Sequence, residues 1–578
     1  MLTTSRPCRQ CQTSFVITEE DLAFLKEIAP KIGGQIFDIP PPTLCPRCRE
    51  IRRCAQWNEI YLYKRKCDLT GKDIISDIHP DAPYKVYDQE VWYSDKWDPM
   101  EYGRDFDFSK PFFEQYFELC KDVPHMNLFT GYQYDENCDY TNYAGKNKNC
   151  YLIFDSDENR DCYYSYSLNG CKDCLDSFRV RQSELCYWCV DCLRCYSSSF
   201  LQDCTNCTNS MFLKNCTGCT NCLMCSNLVN KEYMVENRQV SKEEFEQFMQ
   251  SLRSLSAIES SWARFEDFKL KFPQKYMHGV QNENVTGDYI VNSKNARLCF
   301  DCTELWDCAH FYRSFMPAKT CMDCEACGAV ERLYECSVIG YNGNNLLFSC
   351  NCLDQHSDYL YSSFCSHSAH LFGCNGLRRK KYCILNKQYT KEEYEKLVPK
   401  IIEHMRHDGA AMNRSPSMPL GINSATGSWG EFFPITLSPF AYNESTAQDY
   451  YPLSKEEVIA NGWQWRERDE KEFQPQEHAV PDAIDDVTDE ILKQTLACAH
   501  CSRNYKIIPQ ELAFYRLRGL PIPNHCFYCR HESRKNARNP RKLWQRECQK
   551  CRKGIETTYA PERPEIVYCE ECYLKEVY

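Results

Sequence analysis

The chain has 578 residues, of which 43% are hydrophobic and 13% aromatic, and 69 Lys and Arg against 81 Asp and Glu give a formal net charge of −12. This composition is typical of folded domains, excludes a disordered chain, and disfavours a protein whose whole surface binds nucleic acid. No apolar stretch reaches the roughly 20 residues of a membrane helix, and Met1 to Gln10 lack the apolar centre of a signal peptide. We therefore expect several domains, no membrane segment and a cytoplasmic location.

Cysteine is the unusual component of this composition, with 42 residues in the chain. They fall into an N-terminal set, two long central sets and a C-terminal set. In a reducing compartment, cysteines in CxxC pairs are more often metal ligands than disulfides. The sequence therefore predicts a zinc-binding protein.

The N-terminal module, residues 1–66, contains the two pairs CRQC and CPRC. One CxxC turn holds two thiolates on one side, and two such turns complete the tetrahedron that Zn²⁺ accepts. The predicted ligands are Cys8, Cys11, Cys45 and Cys48. Four protein ligands leave no open position for water, so we expect a structural zinc ribbon.

Residues 67–136 are predicted to form an aromatic-rich linker domain. Four aspartates lie close together in it: Asp95, Asp98, Asp105 and Asp107. They could hold a divalent ion, but acidic residues in a loop such as WYSDKWDP are more often turn formers and helix caps. We expect turns and caps here.

Two central blocks, residues 137–252 and 282–408, carry periodic cysteines and are joined by a connector at 253–281. Cys150, Cys171 and Cys192 are spaced by 171 − 150 = 21 residues, and a fixed period near 20 indicates a solenoid. The segments between them, such as CYLIF and CYYSYS, are rich in residues that favour strands. We predict a mainly β, multidomain protein built around a duplicated, cysteine-rich, right-handed parallel β-helix.

Each central block ends in the same way. KEYMVENRQVSKEEFE from Lys231 recurs as KKYCILNKQYTKEEYE from Lys380, an offset of 380 − 231 = 149 residues. Each copy contains a capping box, Ser241 with Glu244 and Thr390 with Glu393, which predicts the start of a helix. These helices would cover the open end of each sheet stack, where strands are otherwise unpaired.

Residues 409–490 have the composition of a linker. Gly409 to Gly430 is rich in Gly, Ser, Pro and Asn, and Arg466 to Glu490 is mostly charged. The segment between them, GEFFPITLSPFAYNESTAQDYYPLSKEEV, carries many aromatic residues. We predict that it forms a strap over a neighbouring domain.

Two further zinc ribbons are predicted at residues 491–540 and 541–578. Their ligands would be Cys498, Cys501, Cys526 and Cys529 in the second ribbon and Cys548, Cys551, Cys569 and Cys572 in the third. The second ribbon repeats the first: Cys8, Cys11, Phe15, Ile17, Leu22, Ala23, Phe24, Pro42, Cys45, Cys48 and Arg49 correspond to Cys498, Cys501, Tyr505, Ile507, Leu512, Ala513, Phe514, Pro523, Cys526, Cys529 and Arg530. One Zn²⁺ per set predicts three structural ions.

A basic segment joins the two C-terminal ribbons. From Arg530 to Lys553, ten basic residues stand against two acidic ones, a net of 10 − 2 = +8. Arginine binds phosphate in a bidentate manner, so this segment indicates contact with RNA or DNA. The candidate residues are Arg530, Arg534, Lys535, Arg538, Arg541, Lys542 and Arg546. The alternative is a solvated linker helix whose charge offsets the nearby thiolates.

The central cysteines leave three interpretations open. CYWCVDCLRC places Cys186, Cys189, Cys192 and Cys195 at three-residue steps, and CMDCEAC repeats this at Cys321, Cys324 and Cys327. An Fe–S cluster is disfavoured because the final C-x3-C-P step is missing. Free cysteine packs as a small hydrophobic residue, and we favour core packing. Additional zinc within the coils is the third interpretation, with candidate ligands Cys365, His367, His370 and Cys374.

The pattern CxxC, aromatic-x-Ile and P-x-x-CxxCR resembles a zinc-ribbon module of many bacterial proteins. CQKCRKGIETTYAPERPEIVYCEEC resembles a small bacterial CxxC-x17-CxxC zinc domain. With CDLTGKDI, WDPMEYGRDFDF and RNPRKLW, nearly the full chain resembles large cysteine-rich zinc-ribbon proteins of candidate-phylum bacteria. The resemblance implies zinc and this domain layout, and it implies no activity. The N-terminal ribbon departs from the short module, because 33 residues rather than 24 separate its two pairs.

These observations favour a non-enzymatic scaffold or adaptor. It would bind zinc and contact nucleic acid, a nucleoprotein complex or another protein. No HExxH, GxSxG or phosphate-binding loop stands out, so we place no catalytic residue. The alternatives are a β-helix hydrolase or lyase with structural zinc, which requires a carboxylate pair on one solenoid face, and a thiol redox or metal-storage protein.

Overall fold

The computed structural model describes residues 4–314, 316–325, 330–331, 334–336, 343–344, 347, 356–409, 427–467 and 473–577. The chain forms two compact units. The first unit contains Met1–Asn127 and Met277–Glu467, and the second contains Leu128–Tyr276 and Arg468–Tyr578. The first unit thus combines a solenoid with one ribbon module, and the second combines a solenoid with two, all of them distant from their solenoid in sequence. The domain boundaries that the sequence suggests remain predictions.

The solenoid coil of the second unit has 12 residues. Parallel bridges join residues 12 apart, in the series Tyr163↔Leu175↔Tyr187↔Ser199. Every third residue has a positive φ, as at Asp173 (50°) and Asp176 (47°). Each coil therefore has four sides of three residues, with a left-handed residue on every side. The predicted β-solenoid is confirmed, but the predicted period near 20 residues is wrong.

The three positions of each side have different requirements. The first residue points inward and is small or apolar, as in Cys174, Ser177 and Val180, all 0% exposed. The second residue makes the bridge to the next coil. The third has the left-handed conformation, which Asn, Asp and Gly adopt at low cost, as at Gly170 and Gly218. This tripeptide pattern builds a closed, narrow coil.

The pattern also explains the misleading cysteine interval. Cys150 and Cys162 stack in neighbouring coils, and Cys171 is three sides beyond Cys162, so the spacing of 21 is 12 + 9. Inward positions recur every three residues. Two cysteines on different sides can therefore be separated by any multiple of three residues. The interval of 21 connects two inward positions that are not stacked.

The remaining elements of the second unit cover and extend its solenoid. The helix Lys242–Gln250 begins at Ser241, whose side chain accepts from the Glu244 N–H, as the capping pattern predicts. The solenoid strands are Asn142–Gly145, Tyr151–Asp157, Tyr163–Tyr166, Ser199–Gln202, Met211–Lys214, Thr220–Ser226, Glu232–Val235 and Arg238–Gln239. The other strands and helices are Leu255–Lys269, Gln274–Lys275, Ile484–Asp486, Asp489–Lys493, Leu496–Ala497, Asn504–Tyr505, Pro509–Arg518, Phe527–Asn536, Trp544–Glu547, Gly554–Thr557, Val567–Tyr568 and Glu570–Val577.

The first unit repeats this plan. Its solenoid strands are Gly279–Val280, Glu283–Val291, Lys294–Thr303, Leu305–Ser314, Ala318–Lys319, Met322–Glu325, Val330–Glu331, Gly343–Asn344, His356–Leu360, Ser368–Phe372, Lys381–Ile384 and Lys387–Gln388. Its other strands and helices are Thr4–Pro7, Ser14–Ile17, Glu19–Glu27, Lys31–Ile32, Gln35–Ile36, Pro46–Cys54, Tyr63–Lys66, Asp73–Ser76, Val86–Tyr87, Gln89–Trp92, Pro99–Tyr102, Phe112–Asp122, His125–Met126, Lys391–His407, Ile435–Leu437, Tyr442–Glu444, Thr446–Tyr450 and Lys455–Ala460. The helix Lys391–His407 begins at the predicted capping box of Thr390 and Glu393. Cys327, the last cysteine of CMDCEAC, lies outside the described residues.

A second apolar core lies outside the solenoid of the first unit. The rings of Phe112 and Phe372 pack edge to face with their centroids 5.4 Å apart, and the ring centroids of Phe433 and Tyr116 are 5.0 Å apart. Trp429 and Phe433 belong to the predicted strap and its flank, and both are buried in this core. The aromatic segment after residue 427 thus packs onto the solenoid and the helix Phe112–Asp122.

Candidate metal centres

The structure brings together all three predicted sets of four cysteines. In each set, the four sulfurs lie within 4.8 Å of one another. The sets are Cys8, Cys11, Cys45 and Cys48; Cys498, Cys501, Cys526 and Cys529; and Cys548, Cys551, Cys569 and Cys572. These are three closed, four-sulfur groups that can hold metal ions.

The first CxxC pair of each set forms the same turn. The residue after the second cysteine has a left-handed φ: 61° at Gln12, 61° at Ser502 and 64° at Arg552. Its N–H donates to the carbonyl of the first cysteine over 2.9 Å in all three cases. The first CxxC pair of each set thus has the same turn at three separate places in the chain.

The second CxxC pair lies at the start of a helix in each set. Cys45 and Cys526 are the N-cap residues of the helices Pro46–Cys54 and Phe527–Asn536. Cys569 immediately precedes Glu570–Val577. The positive end of a helix dipole stabilises a thiolate, which is the form that binds metal. Helix and turn therefore prepare four thiolates for one ion.

Sulfur spacing and backbone hydrogen bonds fit a tetrahedral thiolate site. The Sγ atoms of Cys11 and Cys45 are 3.7 Å apart, as are those of Cys501 and Cys526 and of Cys551 and Cys569. A tetrahedron with Zn–S bonds of about 2.3 Å has S···S edges of about 3.8 Å. Burial acts to raise the pKa of Cys498, but hydrogen bonds from the turn N–H groups lower it to about 6.

The helix Phe527–Asn536, which we call the second docking helix, attaches the second ribbon to its solenoid through buried arginines. Arg534 Nη1 lies 2.7 Å from Asp176 Oδ1, and both side chains are 0% exposed. Arg530 pairs with the other oxygen of Asp176, and its guanidinium lies over the ring of Tyr164 at 4.8 Å. Arg538 pairs with Asp191 at 2.6 Å.

The helix Pro46–Cys54, the first docking helix, repeats this arrangement in the first unit. Arg49 Nε lies 2.7 Å from Asp323 Oδ2, and Arg53 Nη1 lies 3.4 Å from Asp323 Oδ1. Arg49 and Arg53 follow Cys48 at the same distances as Arg530 and Arg534 follow Cys529. Asp323 therefore corresponds to Asp176, and both are left-handed residues of a solenoid side.

This arrangement corrects the residue assignment of the predicted nucleic-acid segment. Arg530, Arg534 and Arg538 are not part of an exposed basic surface, because solenoid carboxylates pair with them in the interior of the unit. Lys535 pairs with Glu532, and Arg546 donates to the carbonyl of Ala560. Arg541 is half-buried, and Lys542 is exposed. Sequence reasoning missed Asp176 and Asp323, because their Cys-x-Asp pattern also occurs at Cys171, Cys189 and Cys299 and does not single them out.

The interior cysteines of the solenoid pack against one another and against backbone carbonyls. Cys186, Cys189, Cys192 and Cys195 occupy the four inward positions of one coil. Cys186 Sγ donates to the carbonyls of Glu184 and Cys195, each at 3.5 Å, and the same two contacts recur along the ladder. Within the described part of the chain, three interior sulfurs nowhere lie within 4.8 Å of one another. This geometry agrees with core packing.

The other predicted sites are not brought together. Cys365 and Cys374 point into the solenoid, whereas His367 and His370 have the left-handed conformation and lie at its surface. The four side chains are therefore on opposite sides of one wall. Asp98 and Asp107 accept hydrogen bonds from the N–H groups of Met100 and Ser109, as expected for caps, and Asp105 pairs with Lys387.

Three neighbouring aspartates on the solenoid of the second unit, Asp135, Asp155 and Asp157, bear on the enzymatic alternative. Partial desolvation, followed by the charges of Asp155 and Asp135, raises the pKa of Asp157 to about 7. Desolvation also raises the pKa of Asp135 to about 6. Asp135 accepts a hydrogen bond from the Asn147 N–H, which is a role in joining the first coils. These aspartates offer protonatable groups, and none of them belongs to a group of three or more metal-ligand side chains in the described part of the chain.

Comparisons with known proteins add no family to these observations. No protein-family model and no curated protein matches the chain. Among solved structures, a putative acetyltransferase from Desulfovibrio desulfuricans G20 matches at 8% identity and a TM-score of 0.09. That match covers 42% of this chain and 65% of the acetyltransferase chain. Within the described residues, no helix has the length and apolar character needed to cross a membrane.

Proposed function

We propose that the chain is a non-enzymatic, zinc-dependent scaffold in which structural Zn²⁺ ions lock ribbon modules onto β-solenoids. The observation that carries this proposal is the repeated connection between a four-cysteine set and a solenoid aspartate. In both units, an arginine that directly follows a cysteine of the set pairs with a buried aspartate of the solenoid. The same connection in two copies supports a structural purpose for the metal.

Metal binding and solenoid docking are mechanically coupled in this arrangement. Cys526 and Cys529 lie in the first turn of the second docking helix, and Arg530 is the next residue. The ion therefore determines the position of the helix start, and the helix in turn determines where the two guanidinium groups lie. Without the ion, four thiolates within 4.8 Å would repel one another and the helix start would lose its anchor.

Removal of zinc from the full chain tests the scaffold proposal. Structural zinc contributes about 10–16 kcal/mol of apparent binding free energy per site in small zinc domains. We therefore expect a zinc chelator to lower the thermal midpoint strongly and to make the segments 4–66 and 473–577 sensitive to protease. Re-addition of Zn²⁺ should restore both. A metal-free protein with an unchanged thermal midpoint and unchanged protease resistance would contradict the proposal.

We propose contact with nucleic acid as a second activity, with cations of the third ribbon as its phosphate-binding groups. Lys542, Lys550, Arg552 and Lys553 are exposed, and the last three lie on the turn of its first CxxC pair. Removing one phosphate-binding cation from a B-DNA complex reduces the salt slope by about 0.9. Charge reversal at Arg552 and Lys553 should therefore weaken binding to a labelled duplex and flatten its salt dependence. The control is Lys242→Glu, at an exposed position of the helix Lys242–Gln250. If the charge-reversed variant and the Lys242→Glu control bind the duplex equally well, the proposed nucleic-acid contact is contradicted.

A further inference from the structure

The first docking helix carries a second cluster of metal-ligand side chains that is separate from the cysteine sets. Glu50 and Cys54 are one helical turn apart and therefore lie on the same face of the helix. Glu325 reaches them from the solenoid strand Met322–Glu325. The two carboxylate oxygens and the sulfur lie within 4.8 Å of one another. Two ligands at i and i+4 on a helix and one from a strand form a convergent set of three.

All three side chains are removed from solvent. Glu50 and Cys54 are 0% exposed, and Glu325 side-chain exposure is 1%. Cys54 Sγ lies 3.3 Å and 3.4 Å from the two oxygens of Glu325. The phenol of Tyr451 donates to Glu50 Oε2. Two carboxylates so close together in an apolar interior are costly unless a cation or shared protons compensate them.

Buried carboxylates and arginines surround this helix. The carboxylates belong to Glu50, Asp323, Glu325, Glu335 and Glu431. Arg49 pairs with Asp323, and Arg52 pairs with Glu335 and Glu431. Arg53 is 0% exposed, its nitrogens make no hydrogen bond, and its Nε lies 3.8 Å from Glu325. Arg53 therefore forms a long ion pair with Glu325 and no hydrogen bond to it.

The second unit provides an internal reference in which the cluster is absent. The helix positions of Glu50 and Cys54 are occupied by His531 and Lys535, and the strand position of Glu325 by Phe178. His531 and Phe178 pack against each other with ring centroids 5.7 Å apart. At the second docking helix, Arg530 and Arg534 pair with Asp176, and Arg530 also pairs with Glu511. Docking itself therefore does not require the Glu–Cys–Glu set.

We propose that Glu50, Cys54 and Glu325 bind a divalent cation of the Zn²⁺ class in the first unit. One thiolate and two carboxylates are accepted Zn²⁺ ligands, and a divalent ion compensates carboxylates that are held close together in an apolar interior. On binding, the Cys54 S–H bond breaks, the S–metal bond forms, and the proton leaves to solvent. This fourth site goes beyond the three cysteine sets of the proposed scaffold, and either proposal can fail without the other.

The test is ¹¹³Cd NMR of the full chain loaded with ¹¹³Cd²⁺, together with the cadmium count by elemental analysis. Because each thiolate deshields cadmium, we expect three resonances at the low field of tetrathiolate sites and a fourth far upfield, with four ions per chain. Glu325→Gln and Cys54→Ser should each remove the upfield resonance alone. Lys535→Gln, at the position of Cys54 in the second docking helix, is the matched control and should leave all four.

Two results would overturn the proposal. Three ions and three low-field resonances in the unaltered protein would mean that shared protons compensate the cluster. A fourth resonance at low field would place the additional ion among the solenoid thiols. Both results come from the unaltered chain, so they do not depend on whether the variants fold. Loss of the low-field resonances would instead contradict the scaffold proposal.

Discussion

Arg534 and Asp176 form a 2.7 Å ion pair from which water is wholly excluded, and Arg53 and Asp323 occupy the equivalent positions in the first unit. The first ribbon precedes both solenoids in the chain, yet it belongs to the unit of the later one. The second ribbon follows both and belongs to the unit of the earlier one. The two units are therefore interleaved in sequence, and the arginine–aspartate pairs identify which ribbon belongs to which solenoid.

Removal of one docking carboxylate should destabilise its unit strongly. Asp176→Asn leaves Arg530 and Arg534 buried beside an uncharged amide. Breaking a buried pair typically costs about 3–5 kcal/mol, because the remaining charge stays uncompensated. We expect a loss of this size in the free energy of unfolding, measured by urea denaturation of the zinc-loaded protein.

The control for this substitution is an exposed pair of the same solenoid. Lys172 and Glu184 lie 2.8 Å apart with both side chains more than 40% exposed, so Glu184→Gln should cost less than about 1 kcal/mol. Similar losses for Asp176→Asn and Glu184→Gln would show that the docking pair contributes no more than a surface pair.

The stability of the solenoid should depend strongly on which residue occupies the left-handed position of a side. Asn206 has φ 54°, and a β-branched residue there suffers a clash of about 1–2 kcal/mol. Asn206→Val should therefore lower the free energy of unfolding by this amount. Thr205→Val, at the adjacent bridging position, should be nearly neutral or stabilising because Val favours strands. Thermal denaturation of the two variants measures the difference, and equal midpoints would contradict the assigned roles.

Sequence patterns predicted the metal sets well because CxxC turns are local. The turn at Cys8, the helix start at Cys45 and the caps at Ser241 and Thr390 depend on residues within a few positions. The coil length was mispredicted because cysteines occupy inward positions on all four sides, so that an interval of 21 imitates a period. The positive charges near Arg534 were misread because their partner, Asp176, lies 358 residues away in the chain.

Interior thiols should resist modification while the protein is folded. Cys189, Cys204 and Cys216 are 0% exposed, and the solenoid closes around them. We expect a thiol reagent to modify the half-buried Cys120 and Cys138 first and the interior cysteines only on unfolding. Mass spectrometry of tryptic peptides locates the label. Rapid labelling of Cys189 in the zinc-loaded protein would mean that the coils open readily.

The aspartates at the start of the solenoid of the second unit should make the folded protein less stable as the pH rises. The folded pKa of Asp157, about 7, lies above its ordinary value of 3.8, so the folded state disfavours ionisation. Its contribution to stability is full below about pH 4 and is lost as the pH rises through about 7. Asp157→Asn should therefore raise the thermal midpoint relative to the unaltered protein at pH 8, and the difference should shrink towards pH 4. Because Asp155 and Asp135 supply part of the effect through charge repulsion, high salt should reduce the gain at pH 8. Midpoint differences that are the same at pH 4 and pH 8 would show that ionisation of Asp157 carries no cost in the fold.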